Sequence, residues 1–355
     1  MKSIALLILS WLLLASCTKD RLPIFMHDNP TIIHFNDTYK LIGENTLVEV
    51  PGANNFFIFD SLLIFTTPAL DTFYHSYSTN NLCKIRSFIA KGEGPNELKS
   101  ILKPLYLENE DDNIMINFYT PARQGILRYN FTGSNLNKKG HFQDTLSLEN
   151  ATEIYRAYKI DESLVFIDRL DFLGFNQIYE IYDYKHNQSV HLDTAIISRL
   201  QDQKDVFLMA TSTLLNFHQK KYISAMRFAD QVNIYDLENP EKSHAVSVKN
   251  NATSLIDASN MIMPLKKEFY IDIREAKGLI FALYANQSRK EWATGNTPAE
   301  IHVINWQGKA ICKLIVDQKL LNIDIDSGKQ ILYGLSERQE LIRYDLSQLP
   351  HLSIY

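Results

Sequence analysis

Cysteine is scarce in this chain, three in 355 residues. None of Cys17, Cys83 and Cys312 has a second cysteine or a histidine at ligand spacing, so zinc-ribbon and thioredoxin-like chemistry is excluded. There is no run of lysine and arginine and no acidic tail. With 36 basic and 41 acidic residues and a net charge of −5, the chain offers no field for nucleic acid. Long amphipathic helical periodicity is missing as well. Also absent are G-x-S-x-G, H-E-x-x-H, the P-loop and the dinucleotide-binding glycine fingerprint. The ten histidines are scattered, and no two share helix or strand spacing beside a carboxylate in a metal-like arrangement. No cofactor and no metal are expected. Asp324–Gly328, "DIDSG", has the start of a calcium loop, but Leu335 stands where such a loop needs its bidentate glutamate, so a hairpin turn is the better reading.

What the chain has in quantity is aromatic residues, 18 Tyr and 19 Phe, which together with the β-branched residues favour strands. Its first sixteen residues, "MKSIALLILSWLLLAS", carry one lysine, an apolar core and small residues. This is the form of a secretory signal, too short for a spanning helix. Leu14-Ala15-Ser16-Cys17 matches the bacterial lipobox, in which cleavage leaves an acylated cysteine at the new N-terminus. Thr18 follows, so the inner-membrane retention aspartate is missing and the outer membrane is the expected address. Expected organisation is a leader over 1–16, a lipidated tether over 17–30 and one folded unit over 31–355. Cys83 and Cys312 are expected as two buried apolar thiols.

A repeat lies under the divergence. Strand-like stretches end in an aromatic or aliphatic residue followed by a small polar one, at Tyr77-Ser78, Tyr129-Asn130, Tyr182-Asp183, Tyr235-Asp236, Ile304-Asn305 and Tyr344-Asp345. Successive gaps are 52, 53, 53, 69 and 40 residues. Ahead of each lies an apolar run following a polar turn, anchored on Ile64, Ile116, Val165, Ile223, Ile280 and Ile331. Further strands flank each pair. Four strands per unit and six units make an all-β, six-bladed β-propeller, whose blades must stack in a ring to bury both faces. The last unit lacks a fourth strand. Thr31–Leu41, "TIIHFNDTYKL", is expected to supply it and close the ring.

Between the first two units sits "AKGEGPNEL". Gly92 and Gly94 are expected to supply left-handed backbone at low cost, Pro95 to fix the corner and Glu97 to accept backbone N–H groups. The lipobox, the six divergent blades and this Gly-x-Gly-Pro-x-Glu corner resemble the TolB-like six-bladed propeller lipoproteins of Bacteroidetes. "VINWQGKAICKLIVD" and "IDIDSGKQILYGLSERQELIRYDL" resemble that family's closing blades. A second glycine often follows the proline in the family, where this chain has Asn96. The resemblance implies the fold and an envelope location, and carries no settled activity. In that setting Asp60, Asp144 and Asp193 head tripeptides similar to Bacteroidetes O-glycosylation acceptors.

Propellers gather their b–c loops and blade-to-blade crossings on one face. Four residues beyond the strand-b anchors stand Pro68, Thr120, Arg169, Arg227, Tyr284 and Leu335. Arg169, Arg227 and Tyr284 occupy consecutive blades. Trp292 and Lys290 lie on the longest b–c loop, Ala285–Glu300. Arginines suit anionic groups and an exposed tryptophan suits stacking, so these residues are the expected ligand face. The expected function is a non-catalytic, monomeric binding module for a peptide, glycan or envelope protein. Its rival is a propeller enzyme such as a glycosidase, lactonase or lyase, for which Asp168 and Asp171 are the candidate carboxylates.

Overall fold

Short runs of Phe, Tyr, Ile, Leu and Val broken by polar turns fold into 27 strands among the described residues. The computed structural model describes residues 30–349 apart from 103, 111–112, 121–124, 133–140, 148–153, 162, 172–175, 184, 197–210, 217 and 249–260. The leader and Cys17 lie outside the described residues, as do the side chains of Asp144, Asp171 and Asp193. Three strands lead: β1 (Thr31–Ile32), β2 (Thr38–Leu41) and β3 (Glu44–Glu49). Blade 1 is β4 (Asn55–Phe59), β5 (Leu62–Thr66), β6 (Thr72–Ser78) and β7 (Lys84–Lys91), with β8 (Glu97–Leu98) added. Blade 2 is β9 (Pro104–Glu110), β10 (Asn113–Thr120), β11 (Gly125–Asn130) and β12 (His141–Ser147). Blade 3 is β13 (Ile154–Lys159), β14 (Leu164–Asp171), β15 (Asn176–Asp183) and β16 (Gln188–Ile196). Blade 4 is β17 (Thr211–Asn216), β18 (Lys221–Met226), β19 (Val232–Asp236) and β20 (His244–Ser247). Blade 5 is β21 (Lys267–Ala276), β22 (Leu279–Ser288), β23 (Glu300–Asn305) and β24 (Ala310–Val316), with helix α1 (Arg289–Thr294) in its b–c loop. Blade 6 is β25 (Leu320–Asp326), β26 (Ile331–Ser336) and β27 (Glu340–Asp345), completed by β3.

The molecule is thus an all-β propeller of six antiparallel blades. The two anchors of the sequence repeat are cross-strand partners, Ile116 with Tyr129, Val165 with Tyr182 and Ile280 with Ile304. Elsewhere the tyrosine sits one position along, opposite Leu63, Tyr222 or Leu332. Strand b is sandwiched by neighbouring blades, so β5 is buried at every position and reads as an unbroken apolar run. Outer strands alternate instead, as β24 does. Each fully buried Leu, Ile or Phe contributes about 1.5–3 kcal/mol. The a–b turn of blade 5 is Lys277-Gly278, both at positive φ (50° and 74°), the pairing a tight two-residue hairpin requires.

Ring closure uses the N-terminal chain, but not the stretch expected. Glu44–Glu49 pairs antiparallel with β27, joining Glu49 to Glu340 and Glu44 to Arg343. Thr31–Leu41 runs upstream of it as added parallel strands, β1 on β20 of blade 4 and β2 on β24 of blade 5. The physical reason is that an outermost strand has only one neighbour and tolerates a polar composition, so "ENTLVE" closes the ring with Leu47 left 87% exposed at φ 60°. The cysteines differ from expectation in one case. Cys312 is buried on β24, whereas Cys83 is exposed in the turn before β7, and both are free thiols.

The innermost strands are joined by polar bonds between blades. Ile58 N–H donates to Asp324 Oδ2 at 2.7 Å, and Ile323 N–H donates to Asp272 Oδ2 at 3.1 Å. Ser212 Oγ donates to the carbonyl of Ile271, and the Arg156 guanidinium donates to Thr211 and Thr213. Arg274 sits between the two aspartates, 2.7 Å from Asp272 and 3.6 Å from Asp324, and also donates to the Phe56 carbonyl across the seam. Arg274→Met strips two buried carboxylates of their cation. It should cost about 3–5 kcal/mol in urea unfolding, and a loss no larger than at an exposed arginine would contradict this bracing. Burial, opposed by Arg274 and by the N–H groups of Ile58 and Ile325, pushes the Asp324 carboxyl up to about 6 from 3.8. A proton held more tightly folded than unfolded makes stability fall as pH rises between about 4 and 6 and level off above. Asp324→Asn removes that titration, so its stability relative to wild type should rise by about 2 kcal/mol between pH 4 and 7. A pH-independent difference would show that the group does not titrate there.

Candidate functional site

Antiparallel blades place the b–c turns and the crossings to the next blade at one end of the ring, and among the described residues blades 4 to 6 furnish that end most heavily. In blade 5, β22 runs on to Ser288 and passes into α1. There Ser288 Oγ accepts from Glu291 N–H while Glu291 accepts from Ser288 N–H, a reciprocal cap that fixes the short helix. On one side of α1 the carboxylate of Glu268, almost wholly buried, receives Arg227 at 2.9 Å from blade 4 and Arg289 at 3.0 Å from the helix. On the other side, Lys319 Nζ is buried, 4.6 Å from the Trp292 ring centroid. It donates to the carbonyls of Trp292 and Gly295 and to Glu337.

Beyond Lys319 opens a polar cleft of about 400 Å³ between blades 5 and 6. Its walls include the crossing residues Asp317 and Gln318, the blade 6 turn residues Glu337 and Arg338, and Asn45 of the closing strand. Asp317 accepts from Gly43 N–H at 3.1 Å, tying this wall to the closing segment. A smaller apolar pocket lies at the opposite, a–b end of the same two blades, lined by Phe281, Ile325 and Leu346.

Each of the four residues expected to form a ligand face ends on its own partner. Arg169 pairs with Glu180 of the adjacent strand at 3.2 Å. Arg227 pairs with Glu268, and the Trp292 ring faces Lys319. Tyr284 is buried, its ring 4.2 Å from that of His302. Burial, then the neighbouring Asp230 carboxylate, hold its hydroxyl far above the ordinary tyrosine range. His302 lies in turn against Phe35 of the N-terminal segment, 4.8 Å between ring centroids, and faces Glu300 at 3.5 Å. That bond, with Lys313 beyond it, holds the Glu300 carboxyl below its usual value against the effect of burial. Asp168 is wholly buried, paired across the sheet with Arg156. Among the described residues no cluster of three or more His, Cys, Asp or Glu could hold a metal ion. Sequence reasoning missed the cleft, whose walls come from four separate segments. The polar strings "DQK" and "SERQE" flanking β25 and β26 were its signal.

The corner between blades 1 and 2 folds back rather than crossing directly, so that β8 pairs parallel with β7, Ala90 beside Glu97. Gly92 and Gly94 are not left-handed, contrary to expectation. Among the described residues, Gly52, Gly278 and Gly308 are the glycines at positive φ. Space, not φ, is the requirement: a Cβ on Gly92 would lie 2.0 Å from Glu97 Oε2, the oxygen that accepts from Gly94 N–H at 2.8 Å. Pro95 is exposed at the tip. Asn96 accepts from Phe142 N–H at 3.1 Å, stitching the corner to blade 2.

Six four-stranded blades, closed by the N-terminal chain and crowned on one face by loops, define a propeller of the TolB-like class. The description "TolB-like 6-blade propeller-like" matches residues 42–328, and the chain belongs to that family. Among solved structures it is similar to a member of the DUF4221 family from Bacteroides vulgatus ATCC 8482, with TM-score 0.53 and 10% identity over 91% of this chain and 95% of that one. It is also similar to a Bacteroides fragilis NCTC 9343 protein provisionally described as exported, with TM-score 0.52 and 11% identity over 88% and 99% of the two chains. At such identities the likeness is one of fold. A search of curated proteins finds no match.

The corner geometry makes a prediction. Gly92→Ala should destabilise the fold by about 1–3 kcal/mol in urea unfolding, and adding Glu97→Ala should recover most of that loss. Independent, additive losses would mean that the two residues do not contend for one space.

Proposed function

We propose that this chain is an exported, lipid-anchored binding protein whose propeller presents its loop-bearing face to a peptide, glycan or envelope protein. Cys17, in the context Leu14-Ala15-Ser16-Cys17, is the acylation site, and the outer membrane is the address. Multiple acyl chains on that cysteine give stable retention, where one chain gives only marginal binding. The description of the Bacteroides fragilis propeller as exported supports the same compartment for this chain.

The observation that carries the binding reading is the open polar cleft on the loop-bearing face. By contrast, Asp272 and Asp324 on the inner strands are committed to backbone N–H groups and Arg274. They brace blades rather than face a substrate. A site with unspent hydrogen-bonding groups beside a rigid, internally satisfied scaffold is suited to capture. Expressed with its own leader in a Bacteroides host, the protein should incorporate labelled palmitate and sediment with membranes. Cys17→Ala should abolish both, and labelling that survives the substitution would remove the anchor from this proposal.

A further inference from the structure

We infer that the cleft between blades 5 and 6 recognises a neutral saccharide. The inference rests on the binding-protein reading above and names its ligand class. At about 400 Å³ the cavity falls in the range of small-molecule sites, about 300–1,000 Å³. Every residue lining it is polar or charged, which disfavours an apolar guest. Closure of the ring brings the walls together, since Asn45 arrives on β3 while Asn296, Gln318 and Arg338 arrive from blades 5 and 6.

Most of this lining has bonding capacity to spare. Among the described residues, the side chains of Asn296, Gln318 and Arg338 have no partner within the protein. Asn45 spends only its Oδ1, on Leu47 N–H at 2.8 Å. A primary amide offers a donor and an acceptor from one planar head, and a hydroxyl both donates and accepts, so amides and vicinal hydroxyls satisfy each other in pairs. Arg338 adds a fork of donors for ring and hydroxyl oxygens.

Charge narrows the class further. With Lys319 and Glu337 paired, Asp317 and Glu340 outnumber Arg338 on the wall, which opposes a uronate or phosphate. The remaining cation, Lys319, is already neutralised by Glu337 and held by two carbonyls, so it stiffens the floor without drawing an anion. Such a fixed floor lowers the ordering cost of binding. An uncharged polyol is the guest these groups fit.

The test uses the full-length chain, purified in detergent, against immobilised cellobiose, maltotriose, xylotriose, mannobiose and chitobiose. Trigalacturonic acid and a heptapeptide library serve as alternative probes. At least one neutral saccharide should bind, and both Arg338→Ala and Gln318→Ala should weaken it by ~10-fold or more, as expected when a hydrogen-bonded hydroxyl loses its partner. Neither side chain bonds to another of the described residues, so the thermal midpoint should be unmoved in both variants. Saccharide binding untouched by both variants would overturn the site. Peptide or trigalacturonic acid binding that depends on these residues, with no neutral sugar bound, would overturn the ligand class and leave the binding-protein reading standing. Capture of none of the probes would overturn both.

Discussion

Arg343 on β27 grips Glu44 on β3 across 299 positions of sequence, and the backbone pairing around that contact turns a row of blades into a ring. A blade at the end of an open row would leave one whole face in water. With β3 in place, blade 6 packs on blade 1 through Val48, Phe56, Leu63 and Tyr333, and every blade has two neighbours. The same closure sets Asn45 against the crossing from blade 5, so the cleft exists only in the closed ring.

Polar groups hold these blades in register where apolar packing alone would let them slide. Apolar contact is non-directional, whereas Asp272 and Asp324 each select one N–H of the next innermost strand. Tyr74 does the same between blades 1 and 2 by donating to the Leu102 carbonyl. The expense is buried charge, visible in the raised carboxyl of Asp324. Arg274 makes that charge tolerable, and Asp272 and Asp324 are engaged in architecture before any chemistry is considered.

How far the sequence disclosed this depended on burial. Strand b, covered on both faces, left a mainly apolar signature, clearest in β5, and its partner residues at Tyr129, Tyr182 and Ile304 stood out for the same reason. Closing strand β3 left none, because an edge strand keeps Glu44, Leu47 and Glu49 in solvent. Thr31–Leu41 looked more like a strand and is one, but as added parallel strands on blades 4 and 5. Glycine at the blade 1 corner was legible as a need and illegible as a cause. Only the position of the Glu97 carboxylate shows that it is room that is needed. Counting from anchors put Arg227 just past strand b of blade 4, but its partner Glu268 comes 41 residues later and no local pattern ties the two.

The order in which the leading segment meets the ring has a mechanical meaning. Load entering from the N-terminal side first reaches the two residue pairs of β1 on blade 4, with the Ile33 N–H bond to Ser247 beside them. It next meets the four pairs of β2 on blade 5. Only after both have peeled does tension arrive at the strand that keeps the circle shut. The segment behaves as a strain relief, with two sacrificial fastenings ahead of the clasp.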